Sequence, residues 1–492
     1  MPHSVLEVEK TTSSQISNIR EKAISLPFFA VLFALAILVY IATTGILPLV
    51  GRDEPRYVQI GREMLNSGDW ITPRLGGFTW FEKPVLLYWM VAASFSIFGV
   101  SEWAARLGPA LCGLGCGLSV WWAVRSMNEK WANWSGLALL SSGGMLAFAH
   151  GATFDIVLTF CVALALASWW KAQRATEWTN KLLALFWVGV GLAFLAKGLV
   201  AFVLTLGTVG LYALLRRERV KLGFWWGLPL ALLVSLVWYG PMVWVNGEKF
   251  VNEFFVQHQF QRFTSDKYKH HQPFWYYLEI LPILTLPWTP FLVGALWKLR
   301  QSNLREATEE QQLKTFALAW MIVPVAFFSI SGSKLPGYIL PALPGAAILI
   351  GAALNQWARS QKLERLAAAL TTIILLGVVI LTTTGPGIAS AEKESMRSLF
   401  KTAHEKGLGH LRVVSFRTTS RGAQFYGAQT LVYDKAGEPL RLQTVAQLNH
   451  LTRDEPALAL IEDKDRSILE KSEIKFQDVA HNGKTGLVLV SQ

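Results

Sequence analysis

Uninterrupted apolar stretches are the feature that most limits what this chain can fold into. A helix needs roughly 20 apolar residues to cross the hydrocarbon core of a bilayer. Runs of this length recur along the chain, for example at residues 28–50, 223–246 and 366–384. Only 16% of the 492 residues are charged, whereas soluble domains carry about 25%. We therefore predict a polytopic α-helical membrane protein.

Basic residues collect between the apolar runs and predict how the helices are oriented. By the positive-inside rule, these loops are cytoplasmic. The five clusters are Arg125/Lys130, Lys171/Arg174/Lys181, Arg216/Arg217/Arg219/Lys221, Lys298/Arg300/Arg305/Lys314 and Arg359/Lys362/Arg365. With residues 1–27 as a cytoplasmic tail, the alternation predicts about eleven or more transmembrane helices within residues 28–384. The net charge of +12 is spread over loops instead of one face, so we expect no nucleic-acid partner.

The first outer loop, residues 51–106, is unusually long for a connection between helices. Its apolar stretch 84–100 is predicted to be interfacial or re-entrant, because an odd number of crossings must separate Asp53 outside from Arg125 inside. Asp53 precedes a proline in the first turn of a predicted helix and could serve as its N-cap. This helix carries apolar residues at helical spacing and is predicted to lie along the membrane surface.

After residue 384 the pattern changes to short apolar segments between polar, helical stretches. The segments at 413–416, 458–461 and 487–490 are typical of buried strands. Residues 385–492 therefore predict a small α/β domain on the outer, periplasmic face. No catalytic motif is recognisable in it, and a capping or acceptor-binding role is the hypothesis.

Charged side chains beside apolar segments are costly, so function is the default hypothesis for them. On the predicted outer side they are Asp53, Glu54, Arg56, Glu82, Lys83, Asp155, Lys197, His258, Arg262 and Lys334. Sugar transfer from a lipid phosphate suits such a set, because the leaving group is a stable anion that needs cations instead of a general acid. Lys83, Arg262 and Lys334 could supply cations, and Asp53 or Asp155 could act as general base.

Structural roles are alternatives for several of these residues. Asp53 could only cap a helix, and Asp155 could pair with a neighbouring helix for packing. Arg106 and Lys197 could extend along the helices to the interface. A transporter or flippase with a charged outer cavity fits the same residues, although no internal repeat is recognisable. A membrane anchor for the C-terminal domain is a third interpretation.

The order of the outer motifs is similar to that of the ArnT-like glycosyltransferases, which resemble the protein O-mannosyltransferases and share the GT-C membrane fold. The resemblance covers residues 28–384 and is most specific in the first outer loop. The motifs are DEPRY at 53–57, GDWITPR at 68–74, FEKPVLLYW at 81–89, LAKG at 195–198 and KLPGYILP at 334–341.

The resemblance implies an inverting glycosyltransferase in a bacterial inner membrane, with its active site on the periplasmic side. The donor it implies is a sugar on a polyprenyl phosphate such as undecaprenyl phosphate. The best-known members add 4-amino-4-deoxy-L-arabinose to lipid A, so lipid A or another envelope glycan is the expected acceptor. Transfer of another sugar to a glycan or protein hydroxyl is the alternative. Membrane lipid is a further expected partner.

The resemblance also assigns roles to individual residues. Asp53 resembles the base or acceptor-positioning carboxylate, and Asp155 a second essential acid. Lys83 and Arg262 resemble a clamp on the carrier phosphate, with Tyr338 beside it. Together with the other outer cations, the predicted substrate-binding residues are Arg56, Lys83, Lys197, Arg262, Lys334 and Tyr338.

Two further positions follow from the same comparison. Glu82 and His258 resemble a pair that binds a divalent metal, which is zinc in the known case. Two protein ligands leave a zinc site incomplete, so water or substrate oxygens would have to complete it. Trp80 stands where a phosphate-contacting tyrosine is expected, and this departure removes a hydroxyl donor.

Overall fold

The computed structural model describes residues 28–51, 53–261, 272–357, 360–418, 421–435 and 437–491, without the side chains of residues 256 and 258–261. Helices dominate residues 28–383. They are α1 (Phe28–Ala42), α2 (Glu54–Ser67), α3 (Leu86–Phe98), α4 (Glu102–Arg125), α5 (Glu129–Leu140), α6 (Gly143–Ala149), α7 (Phe154–Arg174), α8 (Thr179–Lys197), α9 (Val200–Arg216), α10 (Phe224–Phe250), α11 (Val251–Gln261), α12 (Tyr276–Leu284), α13 (Thr289–Arg300), α14 (Glu309–Ile330), α15 (Leu343–Trp357) and α16 (Gln361–Thr383). A 3₁₀ segment, Pro336–Ala342, leads into α15.

The polytopic helical fold is confirmed, but fewer helices than the predicted eleven are long enough to span a bilayer alone. Seven helices of the described ranges are long and apolar enough, and α12 with α13 would form an eighth despite a bend of 119°. The apolar helices α1 and α9 are shorter, and the run of α5 and α6 is broken after Leu140. Hydropathy detects such runs but contains no information about where they bend.

The stretch predicted to be interfacial or re-entrant forms α3. This apolar helix has 13 residues. At 1.5 Å per residue it is about 20 Å long, which is shorter than the roughly 30 Å hydrocarbon core. Its length is consistent with an interfacial or re-entrant helix, and the position of the first outer loop on one side of the membrane stays a prediction.

The basic loops lie together at one end of the helical bundle. Polar contacts join loops that are far apart in sequence, so the predicted cytoplasmic clusters share one face. The joining pairs are Lys171–Ser126, Gln173–Lys221, Arg216–Leu304, Lys298–Gln356 and Lys130–Glu364.

At the opposite end, α2 carries a small hairpin of β1 (Arg74–Leu75) and β2 (Phe78–Thr79). The two residues of its turn, Gly76 and Gly77, both have positive φ (62° and 84°). A two-residue turn between antiparallel strands favours positive φ, which glycine adopts more easily than other residues. The amides of Gly76 and Gly77 donate to the Glu63 carboxylate at 2.8 and 3.1 Å. Glu63 therefore fixes the hairpin to α2 just before the chain reaches residues 80–83.

The C-terminal region contains the predicted strands. Its elements are α17 (Gly385–Glu394), α18 (Arg397–Glu405), β3 (Val413–Phe416), α19 (Ala423–Tyr426), β4 (Arg441–Leu442), α20 (Val445–Leu451), β5 (Ala457–Glu462), α21 (Asp463–Glu470), β6 (Lys475–His481) and β7 (Thr485–Ser491).

The five strands form a mixed sheet of order β4-β3-β5-β7-β6. Strand β3 pairs in parallel with β4 and β5, whereas β7 is antiparallel to both β5 and β6. Alternate strand residues enter two separate hydrophobic clusters, one on each face. The domain boundary near residue 385 stays a prediction.

The sheet region docks on the outer end of the helical bundle through α19. The Tyr426 hydroxyl donates to Glu102 Oε1 at 3.0 Å and accepts from the Leu49 amide at 2.9 Å. Arg62 of α2 donates to the Phe425 carbonyl at 2.6 Å, and the Phe425 ring belongs to the bundle's hydrophobic core. The C-terminal region therefore contacts the start of the first outer loop and α2 directly.

Candidate active site

Four charged residues of the first outer loop form a chain of alternating sign at the outer end. Arg56 lies between two carboxylates, 2.5 Å from Asp53 and 3.3 Å from Glu82, and Lys83 Nζ lies 3.6 Å from Glu82. The side chain of Asp53 is 54% exposed, whereas the other three are only 10–12% exposed. The cluster thus presents one open carboxylate with two cations behind it.

Asp53 does not cap α2 with its side chain, so that interpretation of the sequence is wrong. The helix begins at Glu54, and no hydrogen bond runs from the Asp53 carboxylate to the first-turn amides. The carboxylate instead accepts from the Arg56 guanidinium, three residues further along. Competition from this charged donor leaves the carboxylate at the edge of the cluster, where an acceptor substrate can reach it.

Arg56 is enclosed by aromatic rings as well as carboxylates. Its guanidinium lies 5.0 Å from the Trp80 ring centroid and 5.3 Å from that of Tyr57. Burial alone lowers the pKa of Arg56, but Glu82 and the other neighbouring groups raise that pKa above its ordinary value. Burial, assisted by Glu82, raises the pKa of Tyr57 well above its usual range. The pair therefore keeps one fixed positive charge and one protonated hydroxyl in the cluster.

A second charged group lies where α7 begins and α8 ends. Asp155, in the first turn of α7, forms an ion pair with Lys197, the last residue of α8. Lys197 Nζ also lies 4.3 Å from the centroid of the Tyr338 ring. Lys197 does not extend to the interface, because its side chain is only 13% exposed and its charge meets a carboxylate. The structure thus brings together three of the predicted site residues.

Gly337 allows the 3₁₀ segment to approach this second group closely. A Cβ at residue 337 would lie 2.5 Å from Asp155 Oδ2 and 2.5 Å from the Phe148 ring. Such distances are too short for any side chain, so either the carboxylate or the ring would have to move. Close approach, not backbone conformation, is the reason for glycine here.

We expect Gly337→Ala to lower turnover by about 10–100-fold, because displacing a site carboxylate by roughly 1 Å costs about that much. Turnover and melting temperature of the purified protein measure the effect. Gly210→Ala on α9 is the matched control, since nothing lies within 4 Å of a Cβ added there. Equal turnover of the two variants would contradict the close contact.

Three aromatic rings join the two charged groups. Phe154, which precedes Asp155, packs edge-on against Tyr57 at 4.9 Å and Tyr88 at 5.2 Å between ring centroids. The Tyr88 hydroxyl is buried without a hydrogen-bond partner among the described residues. Helices α2, α3 and α7 therefore meet in one aromatic contact with the charged groups on either side.

Arg106 is fully buried and paired, so its interpretation as an interface-seeking side chain is wrong. It makes a two-pronged ion pair with Glu54, with Nε–Oε1 at 2.6 Å and Nη2–Oε2 at 2.8 Å. Its other donors bond the carbonyls of Thr44, Leu47 and Pro48.

Glu54 in turn connects the two segments that carry the candidate carboxylates. It follows Asp53 directly, and its Oε1 accepts from the Ala152 amide at 2.9 Å, three residues before Asp155. The side chains of Arg106 and Glu54 are only 3% and 7% exposed. This ion pair therefore fixes the position of Asp53 relative to the start of α7.

Three other predicted residues are not placed in either group. Lys334 is buried and donates to the carbonyls of Ser331 at 2.7 Å and Gln272 at 3.1 Å, so it joins two outer segments. Arg262 lies outside the described residues. His258 lies within α11, but its side chain is outside the description. Substrate or metal binding by these residues stays a prediction.

The described residues include one of the two residues that the resemblance implies for a metal. Glu82 lies between the cations of Arg56 and Lys83, which oppose a second positive charge at that carboxylate. The described part of the chain contains no group of three histidine, cysteine, aspartate or glutamate residues that could hold an ion, and it does not include the side chain of His258. Metal binding by Glu82 together with His258 therefore stays a prediction.

Sequence comparisons identify the family of the chain. Residues 25–250 match the family model described as dolichyl-phosphate-mannose-protein mannosyltransferase. A Yersinia pestis (strain Pestoides F) protein named undecaprenyl phosphate-alpha-4-amino-4-deoxy-L-arabinose arabinosyl transferase is 30% identical over 82% of this chain and 74% of its own length. The chain belongs to the ArnT-like glycosyltransferase family. An arabinosyl transferase from Pseudomonas fluorescens is 33% identical over 72% of this chain, and the matched part is only 63% of that protein's length.

Solved structures show the same ArnT-like architecture. The crystal structure of ArnT from Cupriavidus metallidurans bound to undecaprenyl phosphate has a TM-score of 0.74 and 25% identity, covering 94% of this chain and 97% of that one. The archaeal oligosaccharyltransferase AglB from Archaeoglobus fulgidus has a TM-score of 0.54 and 11% identity, covering 95% and 74%. The latter likeness concerns the fold alone.

Several residues of the candidate site are not singled out by the sequence analysis. Tyr57 and Tyr88 have no role assigned from the sequence, yet both rings lie between the charged groups. Tyr277 donates its hydroxyl to the Leu335 carbonyl at 3.1 Å, beside the segment that carries Tyr338. Their common signal is a hydroxyl group within a largely apolar stretch of sequence.

Proposed function

We propose that the chain is an inverting glycosyltransferase that moves a sugar from a polyprenyl-phosphate carrier to an acceptor at the periplasmic face of a bacterial inner membrane. The observation that carries the proposal is the cluster of Asp53, Arg56, Glu82 and Lys83. It offers an open carboxylate with buried cations behind it, at the end of the bundle opposite the basic loops. The ArnT relative bound to undecaprenyl phosphate supports the choice of donor.

On the donor side, the bond between the anomeric carbon and the carrier phosphate breaks, and the phosphate leaves as an anion. It therefore needs positive charge and no proton. Lys83 supplies an ammonium at the buried side of the cluster, and Arg56 supplies a guanidinium whose raised pKa keeps it charged. Both cations are held in place by Glu82 before the substrate arrives.

On the acceptor side, the exposed Asp53 carboxylate meets the incoming oxygen. It takes the proton of a hydroxyl, or positions an acceptor phosphate that is already ionised. The acceptor oxygen bonds the anomeric carbon from the face opposite the departing phosphate, so the configuration inverts. Asp155, which is paired with Lys197, orients the sugar on the other side of the aromatic contact.

The relatives' names support 4-amino-4-deoxy-L-arabinose as the sugar, and lipid A is the acceptor that we propose with it. Transfer to a protein or glycan hydroxyl is the second candidate, favoured by the match to the mannosyltransferase family model. Mass spectrometry of lipid A and envelope glycans from a deletion strain distinguishes them, because the lost sugar identifies the acceptor. Unchanged lipid A and envelope glycans would exclude both of these acceptors and leave only a protein hydroxyl.

We expect Lys83→Ala to lower turnover by about 10²–10³-fold, because it removes preorganised positive charge from the developing phosphate. Turnover of purified protein with a polyprenyl-phosphate sugar measures the effect, and the melting temperature checks the fold. Lys249→Ala is the control, since Lys249 is on the same outer end but bonds the exposed hydroxyl of Thr79. Near-normal turnover of Lys83→Ala would exclude Lys83 as a contact of the leaving phosphate.

A further inference from the structure

A cleft lies at the end of the bundle opposite the candidate active site, among α13, α14 and α15. It encloses a volume of about 200 Å³. Its floor is formed by small and apolar side chains, including Ala295, Leu349 and Ala352. Its rim carries two lysines on different helices, Lys298 of α13 and Lys314 of α14. An apolar floor below a basic rim is suited to an amphipathic anion.

The charges at the rim are only weakly compensated. Lys298 Nζ donates to Gln356 Oε1 at 2.8 Å, which is a neutral partner. Lys314 pairs with Glu310 one turn earlier on α14, but that carboxylate is 57% exposed. Exposed ion pairs of this kind stabilise a protein very little, so the pair opens easily for a stronger anion. The cleft therefore offers two ammonium groups that can turn toward one ligand.

Aromatic side chains on the same helices place the rim at the level of lipid headgroups. Trp297 neighbours Lys298 and is 62% exposed, and Trp357 neighbours Gln356 and is 37% exposed. Exposed tryptophans on spanning helices collect at the membrane–water interface. Further along α13, Val293 is 59% exposed and belongs to the lipid-facing surface. The cleft thus opens where the headgroup layer of the leaflet next to the basic loops would lie.

We propose that this cleft binds the phosphate of an anionic glycerophospholipid of the cytoplasmic leaflet. The phosphate oxygens accept from Lys298 and Lys314, and the start of an acyl chain lies along Ala295 and Ala352. Basic pockets between membrane helices on the cytoplasmic side bind such headgroups, and charge-assisted hydrogen bonds to phosphate are strong. A free phosphate would satisfy the lysines but would leave the apolar floor uncovered.

The site lies far from the chemistry but on a helix that leads to it. α15 follows directly on Pro336–Ala342, the segment that carries Gly337 and Tyr338. Bound lipid joins α13, α14 and α15 at their cytoplasmic ends, so its primary effect is on the stability of this three-helix contact. Stabilisation then follows the lipid concentration, as for any ligand of the folded state.

The test uses the full chain, purified and delipidated in detergent. Phosphatidylglycerol, phosphatidylcholine or inorganic phosphate is titrated while the melting temperature is recorded, and native mass spectrometry counts retained lipid. Phosphatidylglycerol is expected to raise the melting temperature and to remain bound, whereas phosphatidylcholine and phosphate are not. An equal shift with inorganic phosphate would identify a free-anion site and overturn the lipid assignment.

Variants of the two lysines test whether phosphatidylglycerol binds in this cleft. The double change Lys298→Gln/Lys314→Gln is expected to weaken the apparent affinity for phosphatidylglycerol at least about tenfold, since it removes two charge-assisted hydrogen bonds to the phosphate. Lys171→Gln is the matched control, because this lysine is on the same face but bonds Ser126. If the double variant does not purify, Lys298→Gln alone serves, as its present partner is neutral. Unchanged phosphatidylglycerol binding in these variants would overturn the proposal.

Discussion

Asp53→Asn is expected to lower turnover by about 10²–10⁴-fold, the usual cost of losing a general base. The change keeps the shape of the side chain but removes its charge and basicity. The structure adds a reason to expect an effect on chemistry alone, because the Asp53 side chain makes no cap hydrogen bond to α2. Catalysis and helix stability are thus separable at this residue.

The stability of the Asp53→Asn protein should stay close to that of the wild type. The carboxylate is 54% exposed, and its ion pair with Arg56 is therefore largely screened by water. Asparagine is also as favourable as aspartate before a helix. An unchanged melting temperature together with the lost turnover would support the catalytic assignment.

Asp69→Asn is the matched control for this prediction. Asp69 belongs to the same outer loop and accepts from the amides of Ile71 and Thr72, which an asparagine oxygen can also do. Its turnover should remain near the wild-type value. If Asp53→Asn retains more than roughly a tenth of wild-type turnover, far above the loss of a base, the role of general base passes to Asp155.

Arg106→Met is expected to destabilise the protein by about 3–5 kcal/mol, because removing one partner leaves a buried charge uncompensated. The Glu54 carboxylate would lose both of its guanidinium bonds. The carbonyls of Thr44, Leu47 and Pro48 would lose their donor as well. Turnover should fall too, since Glu54 fixes the segment of Asp53 relative to that of Asp155.

Thermal unfolding in detergent measures this effect, with Arg74→Met as the control. Arg74 is also an outer arginine, but it is 41% exposed and 3.8 Å from Asp69, so its loss should cost less than about 1 kcal/mol. Adding Glu54→Gln to Arg106→Met removes the stranded charge and should recover part of the stability. Equal melting of the two single variants would contradict the buried ion pair.

The parts of the fold that depend on local pattern were predictable. Apolar runs predicted the helices, short apolar segments between polar stretches predicted β3, β5 and β7, and loop charge predicted which loops share a face. The number of spanning helices was not predictable to the same degree. Whether a run such as residues 129–149 continues as one helix or breaks depends on packing against neighbours, which composition does not describe.

The candidate site shows the same division between local and distant information. Charge in an apolar context identified Asp53, Lys83, Asp155 and Lys197 correctly as residues of the outer end. The interpretation of Asp53 as a helix cap did not predict its ion pair with Arg56. Arg56 is itself positioned by Glu82, which lies 26 residues further along the chain. The roles of Arg262 and His258 stay predictions, because their side chains lie outside the described residues.

The docking of α19 on the first outer loop has a consequence for biogenesis. Tyr426 forms hydrogen bonds with the Leu49 amide and with Glu102. Both partners are more than 300 positions earlier in the chain. Ribosomes synthesise these residues in order, so α2 and the hairpin are made long before α19. The contacts of Arg62 and Glu102 with α19 can therefore form only after the last helix of the bundle and the C-terminal region have been synthesised. Completion of this surface is a late event in biogenesis.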